Sequence, residues 1–262
     1  MHPTTIQATR RKIEETGSFA LLALRVVRYM FTRMPRWQLL RSQMMKIGVR
    51  SLPVVLLTGA FTGMVLAVQT YAQFARVNLQ SLLGAVVSVA MVREIGPVLT
   101  GLVLAGRVGA AMTAELGSMK VTEQIDALRA LGSNPEIYLI VPRFVCCVLL
   151  MPLLVAYSDL VGIFGGWLIS THVLNVDPHW YWHFSAQYVE TWDIFSGMFK
   201  AGVFGGLLSL ICCFKGFNAQ GGAEGVGRAT TEANVSTSIS IIISNFFLAV
   251  MLRALYQNIY GG

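Results

Sequence analysis

Long apolar stretches, separated by short polar segments, run through most of the chain. Five of them contain the run of about 20 mostly apolar residues that a helix needs to cross a membrane. They cover roughly 52–75, 81–105, 139–171, 194–214 and 236–257. The pattern therefore predicts an all-α membrane protein with five transmembrane helices.

A further helix is predicted over residues 6–33, ahead of the first span. On a helical wheel, Arg25, Arg28 and Thr32 form a narrow polar strip, and Pro35 ends or bends the helix. Apolar residues lie nearly opposite this strip: Phe19, Leu22, Val26 and Met30. The arrangement favours a helix lying in the membrane interface, with its arginines among the lipid headgroups. A soluble amphipathic helix is the alternative.

The composition agrees with membrane insertion. Hydrophobic residues make up 55% of the 262 residues and charged residues only 13%, whereas soluble domains average about 25% charged residues. A disordered chain, a disulfide-stapled domain and an ordinary cytosolic enzyme are therefore excluded. The net charge of +7 comes from residues 1–50, which hold ten Lys or Arg against Glu14 and Glu15. We divide the chain into this basic arm, 1–50, and a five-span domain, 51–262.

The basic residues also predict an orientation. Lys and Arg are concentrated before the first span, after the second and after the fourth. Because such loops stay in the cytoplasm, the N-terminus is predicted to be cytoplasmic and the C-terminus to lie outside. A basic arm beside apolar spans favours contact with the negative cytoplasmic leaflet rather than with nucleic acid.

Two ionisable residues, Arg93 and Glu94, interrupt the second apolar stretch. Charged side chains inside a membrane face a cavity or a partner, because exposure to lipid tails is costly. Gly96 and Pro97 follow directly and can bend the helix. The pattern predicts a polar point that lines a substrate cavity or forms a hinge. The alternative is a structural ion pair in which the two residues neutralise each other.

The predicted loop between the second and third spans, 105–139, is polar yet helix-prone. Residues 122–129 predict a short amphipathic helix, and Gly132 followed by Asn134 and Pro135 marks its end. A cytoplasmic helix between two spans suits docking to a soluble partner; a solvated connector is the alternative.

The predicted outer segment, 171–192, is rich in histidine and tryptophan. His179 and His183 are four residues apart and Asp177 is close, but no third ligand has a clear spacing, so no metal site is predicted. The tryptophans fit an interfacial aromatic belt.

Other motifs indicate packing rather than chemistry. Glycines spaced four apart, which let helix backbones approach closely in lipid, occur at 59 and 63, 162 and 166, and 202 and 206. Four cysteines occur as two adjacent pairs in apolar stretches and are predicted to be buried hydrophobic residues. The sequence has no GxxxxGK[ST] phosphate-binding loop and no serine-hydrolase or zinc-protease motif.

The string VREIGPVLTGLVLAGRVGAAMTAELGSMKVTEQIDAL, at 92–128, resembles the MlaE-type permease family. These proteins are the membrane subunits of ABC transporters that work with MCE-domain lipid-binding proteins. Four family blocks occur in order: R-E-[LI]-G-P-V, A-G-R-x-G-[SA]-A, A-E-[LI]-G-x-M and T-E-Q. GAFTGMVLAVQTY at 59–71 and GVGRATTEANV at 225–235 resemble two further family segments. The sequence departs from the family pattern at two positions. Ser118 stands where relatives often have a large apolar residue, and Asn245, in span five, stands where some relatives carry Asp.

The resemblance implies a multi-pass bacterial inner-membrane protein that has an N-terminal interfacial helix, five spans and a cytoplasmic coupling helix between spans two and three. It implies two permease copies, P-loop ATPase subunits, an outer MCE-domain hexamer and often a STAS-domain subunit. The substrate would be a phospholipid. ATP and magnesium would bind the ATPase, so this chain would carry no cofactor, metal or catalytic residue and would not be an enzyme.

The resemblance also implies two sets of functional residues. The lipid cavity would be lined by Met64, Val68, Tyr71, Glu94 and Ile95, with Arg93 able to meet a phosphate. The ATPase would couple through Glu115, Thr122, Glu123, Asp126 and Arg129. Two other classes stay open: a gradient-driven transporter that uses Arg93 and Glu94 as a relay, and a membrane enzyme built on the histidine-rich outer segment.

Overall fold

The fold is described from a computed structural model that places residues 3–32 and 37–260, with side chains for residues 14–30, 32 and 37–259. Within those ranges every regular element is helical. The predicted all-α class is therefore confirmed. Pro35, predicted to end or bend the first helix, lies outside the described residues.

Eleven α-helices occur within the described residues. They are α1 (Pro3–Thr32), α2 (Trp37–Ile47), α3 (Leu52–Phe74), α4 (Leu83–Ala90), α5 (Gly96–Leu104), α6 (Ala110–Val121), α7 (Gln124–Ala130), α8 (Val141–His172), α9 (Pro178–Tyr188), α10 (Thr191–Phe217) and α11 (Gly222–Tyr260).

Among the described residues, five helical stretches are long and apolar enough to cross a membrane, as predicted. They are Trp37–Val77, Gln80–Val121, Glu136–His172, Thr191–Phe217 and Gly222–Ile259. Each extends beyond its predicted bounds, because apolar content marks the hydrocarbon depth rather than the ends of the helix.

The second span corrects the prediction of a loop that begins at residue 105. The helix continues to Val121, so the stretch from Gln80 is 42 residues long. At 1.5 Å per residue this is about 63 Å, roughly twice the hydrocarbon thickness. The segment after residue 105 is rich in alanine and other good helix formers, which keep it helical beyond the membrane.

In the part of the chain that the structure describes, three short segments are π-helical: Met91–Ile95, Ala105–Gly109 and Glu136–Ile140. Each inserts an extra residue into the turn and so rotates the side chains that follow. Such segments are rare and frequently lie at functional sites. The first carries Arg93 and Glu94.

The middle of the bundle is the packing of α8 against α3 and α10. A methyl group added at Gly63 of α3 would overlap the backbone carbonyl of Gly162 of α8, so these two helices touch through their backbones. On α10 the predicted close contact at Gly202 is wrong, since its nearest neighbours would be 3.9 Å from such a methyl. Gly205 makes that contact instead, against the carbonyl of Cys147.

The apolar face of α1 packs on the protein. Leu22 and Val26 are buried in a cluster formed with residues of α6, α7, α8 and α10, whereas Leu21 and Leu24 are exposed. The position of α1 in the membrane interface stays a prediction. If α1 lies there, its exposed face, which carries Leu21 and Leu24, is the face that contacts lipid.

Candidate functional site

Two ion pairs connect the second span to the fourth at the first π-helical segment. Lys200 Nζ lies 2.6 Å from Glu94 Oε1, and Arg93 Nε lies 3.2 Å from Asp193 Oδ1. The Lys200 side chain is only 2% exposed. Arg93 and Glu94 therefore do not neutralise each other; each is paired with a residue of α10.

A proline follows this segment, and the buried lysine donates to the segment's backbone. Pro97 has no N–H, so the turn that carries Arg93 and Glu94 lacks one backbone donor. Lys200 Nζ donates to the Arg93 carbonyl at 3.1 Å and also binds Glu94. From α11, Asn245 Nδ2 donates to the second carboxylate oxygen of Glu94 at 3.0 Å. Three spans thus meet at one carboxylate.

Sequence reasoning missed Lys200 and Asp193. The available signal was that Lys200 is the only charged residue in the predicted fourth span, 194–214. Because an ionisable residue inside a membrane needs a partner, Lys200 could have been matched to Glu94 of the second span.

A cavity of about 650 Å³ opens beside this network, between α10 and α11. Charged groups form part of its wall and apolar side chains form another part. The charged lining is Arg93, Glu94, Lys200 and Arg253, and the apolar lining includes Trp192, Phe246 and Val250.

A second groove, of about 390 Å³, shares Arg93 and Glu94 with this cavity. Its other lining residues are almost all apolar: Phe74, Leu82, Ala85, Val86, Val89, Ala90 and Tyr188. Arg93 and Glu94 therefore stand where a charged cavity and an apolar groove meet, which suits a ligand with a charged head and an apolar tail.

The remaining predicted cavity residues lie elsewhere in this chain. Met64 lies against Gly165 at the contact of α3 with α8, and Val68 is exposed. Tyr71 and Ile95 pack on the apolar cluster around α4. The structure does not bring these four residues to either cavity that Arg93 and Glu94 line.

A short helix, α7, lies where residues 122–129 predict one but begins at Gln124, and Gly132, with φ of 72°, lies just beyond its end. Its cytoplasmic position stays a prediction. Ile125 anchors it in the interior. Asp126 binds Lys120 at 2.7 Å and Arg129 at 3.1 Å. The hydrogen bond from Lys120 is the main cause that lowers the pKa of Asp126.

Three features of this segment face outward. Glu123 is exposed and has a φ of 61°, a left-handed conformation that is costly for residues other than glycine. Leu131, at the end of α7, is 79% exposed. Thr122 is exposed but donates its hydroxyl to the Ser118 carbonyl.

Glu115 has a different environment from the other predicted coupling residues. Its carboxylate binds Lys46 of α2 at 2.9 Å and the buried Arg143 of α8 at 3.0 Å. It therefore connects three helices at the base of the loop.

Asp177 caps the start of α9, and its carboxylate accepts a hydrogen bond from the His179 backbone N–H. The rings of His179 and His183 stack with centroids 6.0 Å apart. Among the residues that the structure describes, no three His, Cys, Asp or Glu form a group that could hold a metal ion.

Comparison with known proteins places this geometry in context. The sequence profile described as Permease MlaE matches residues 40–251. A probable ABC transporter permease protein of Rickettsia conorii is 43% identical over 90% of this chain and 91% of its own length. The intermembrane phospholipid transport system permease protein MlaE of Haemophilus influenzae is 37% identical over 82% of each chain. The chloroplastic protein TRIGALACTOSYLDIACYLGLYCEROL 1 of Arabidopsis thaliana is 38% identical over 88% of this chain and 66% of its own length.

Proposed function

Because the chain belongs to the MlaE permease family, we propose that it is the membrane-spanning subunit of an ABC transporter that moves glycerophospholipids. The observation that carries this proposal is the position of Arg93 and Glu94 between a charged cavity and an apolar groove. The transport would run between the inner membrane and a partner with MCE domains.

A phospholipid fits the chemistry of these two spaces. The guanidinium groups of Arg93 and Arg253 are suited to a phosphate, which arginine binds through paired hydrogen bonds. The apolar groove along α4 offers a wall for an acyl chain. Glu94 would meet an amine headgroup or hold Lys200 in place. Any part played by Met64, Val68, Tyr71 and Ile95 would require a second copy of the chain that brings their helices to the cavity.

The uncovered faces of α3 and α11 support a second copy. Large apolar side chains are exposed along both helices, including Phe61 and Val65 on α3 and Ile242, Phe246 and Phe247 on α11. A homodimer would place these faces around a shared lipid path.

The driving force would come from a P-loop ATPase docked on the cytoplasmic loop. Exposed Leu131 and Glu123 offer an apolar and an acidic contact on one short segment. ATP and magnesium would bind the ATPase, and closure of two ATPase subunits would push α7 and the spans attached to it. A STAS-domain subunit would bind the ATPase, and the MCE-domain hexamer would lie on the side of α9.

The first experiment is purification of the tagged chain from its native membrane in mild detergent, with mass spectrometry of everything retained. An ATPase and an MCE-domain protein in fixed ratio to the chain are expected. If the chain is recovered alone under conditions that keep other complexes intact, a gradient-driven transporter or an enzyme becomes the better description.

The second experiment measures bound lipid in the Arg93→Gln/Glu94→Gln double variant. We expect phospholipid per chain, counted by native mass spectrometry, to fall at least about threefold, the loss expected when a phosphate contact is removed. The matched control is Arg76→Gln/Glu224→Gln, which removes the same charges at exposed positions away from both cavities. Unchanged lipid together with lower thermal stability would assign Arg93 and Glu94 a purely structural role.

A further inference from the structure

The N-terminal helix α1 is attached to the cytoplasmic loop that carries α7. Arg25 Nη1 lies 2.8 Å from Glu136 Oε1, at the end of that loop. Asn134 donates from Nδ2 to the Tyr29 hydroxyl at 3.3 Å, and its Oδ1 accepts from the Glu136 backbone N–H at 3.0 Å. Two side chains of α1, one turn apart, thus bind two loop residues that are two positions apart.

Apolar contacts extend this attachment to α7 itself. Leu22 and Val26 of α1 share a buried cluster with Ile125 of α7 and with Leu116 of α6. Ile125 and Val26 are both fully buried. The helix that presents the loop's outward residues is therefore anchored in the same cluster as α1.

The Arg25–Glu136 pair is the electrostatic part of this contact. The Glu136 side chain is 12% exposed, and its second oxygen, Oε2, is buried without a hydrogen-bond partner. The charge of Glu136 is therefore compensated by Arg25 alone among its described side-chain contacts. Losing one member of such a pair leaves a poorly solvated charge, which is far more costly than losing an exposed pair.

The loop is held from its opposite side as well. Glu115 binds Lys46 and Arg143, which ties α6 to α2 and α8 just before α7 begins. With the Arg25–Glu136 contact after α7, both ends of the segment 122–135 are fixed to the bundle.

We propose that α1 is a positioning element for α7, through the Arg25–Glu136 pair and the Tyr29–Asn134 hydrogen bond. This inference rests on the proposed ATPase docking at the loop. A push on α7 displaces the spans only if the loop does not yield. Because α1 fixes the end of the loop that leads into α8, it makes the loop stiff enough to pass that displacement on. Arg25 and Tyr29 act through the loop and contact neither lipid substrate nor nucleotide.

The test uses the complete complex, reconstituted in liposomes with the partners that co-purify with it. Arg25→Glu and Glu136→Arg are each expected to lower the lipid transferred per ATP hydrolysed by about fivefold. A loss of this size lies within the range of interaction energies measured between contacting charged residues. The charge-swapped double variant is expected to return within about twofold of the wild type, because it restores the attraction. A purely local fold defect would lower thermal stability and yield without this rescue.

Arg28→Glu is the matched control. Arg28 lies one turn along the same helix, is exposed, and makes no ion pair with the described residues. It should retain wild-type transfer per ATP, since it changes the same charge without touching the loop. Equal losses in Arg25→Glu and Arg28→Glu, or failure of the double variant to recover, would overturn the proposal.

The outcomes separate this inference from the proposed function. If no ATPase is retained by the wild-type chain, the proposed function fails. If the ATPase is retained in a fixed ratio and Arg25→Glu transfers lipid normally, only the role of α1 fails.

Discussion

The third and fourth spans differ from the first and fifth in how much protein covers them. In the most apolar 18-residue window of each span, 56% of the third and 61% of the fourth is buried within the chain. The corresponding values are 28% for the first span and 17% for the fifth. One pair of spans forms the interior, and the other pair presents apolar surface outward.

The charges follow the same division. The covered spans contain Arg143, Asp159 and Lys200, all buried. The uncovered α3 has no charged residue, and neither has α11 between Glu232 and Arg253. Because a charge is tolerated in a membrane only where protein or water surrounds it, the fold keeps polar chemistry on the interior side of the bundle. The uncovered helices are then free to contact lipid or a second copy.

The largest effect is expected from breaking the interior charge network. Lys200→Met leaves Glu94 without its cation and removes the hydrogen bond from Lys200 to the Arg93 carbonyl, and we expect a loss of about 3 kcal/mol in unfolding free energy. Adding Glu94→Gln should recover part of that loss. Thermal and denaturant unfolding in detergent measure both variants.

Lys215→Met is the control for this change, since Lys215 lies on the same helix and pairs with Glu232 near the surface. A loss below about 1 kcal/mol is expected there. Equal losses at the two lysines would show that the covered position has no special electrostatic role.

The second effect concerns the backbone contact between a covered and an uncovered span. Gly63→Ala forces a methyl group into the Gly162 carbonyl, and we expect a loss of about 2 kcal/mol as α3 and α8 move apart. Gly202→Ala is the matched control and should be tolerated, since its methyl would meet only ordinary contacts. Comparable melting temperatures for the two variants would contradict the assigned packing.

Much of this architecture could be predicted from the sequence. Apolar runs of sufficient length locate the five spans, and Gly132 with Asn134 and Pro135 marks the end of α7. The helix ends could not be predicted, because polar residues outside the membrane do not stop a helix that good helix formers continue. The stretch from residue 105 to Val121 is the clearest case.

The candidate site was predictable only in part. Arg93 and Glu94 stand out as charges within a span, but their partners Asp193 and Lys200 lie about a hundred positions away. The spacing of residues along the chain carries no information on such distant contacts. In addition, the π-helical turn rotates the side chains away from the directions that an α-helical wheel of 3.6 residues per turn assigns to them. Gly205 was missed for a similar reason, since the face of α10 that meets α8 depends on packing.

A third and smaller effect is expected in the exposed loop. Glu123 has a left-handed backbone, so Glu123→Gly should raise stability by about 1 kcal/mol. The neighbouring Gln124→Gly, inside α7, should lower it by a similar amount. If Glu123 contacts the ATPase, retention of the ATPase should fall in Glu123→Gly although the chain is more stable. Full retention in this variant would remove Glu123 from the docking surface.

The smallest effect on stability is expected on the uncovered fifth span. Ile242→Cys replaces an exposed side chain and should change unfolding free energy by less than about 0.5 kcal/mol. All four native cysteines are buried, so oxidative cross-linking in membranes reports the new thiol. If α11 meets a second copy, most of the Ile242→Cys chain should form a covalent dimer. Leu160→Cys is the control, because Leu160 is at least as exposed as Ile242 but lies on the third span, which is more covered within the chain than the fifth. Efficient cross-linking at Leu160 and none at Ile242 would place the partner copy against α8 and leave α11 facing lipid.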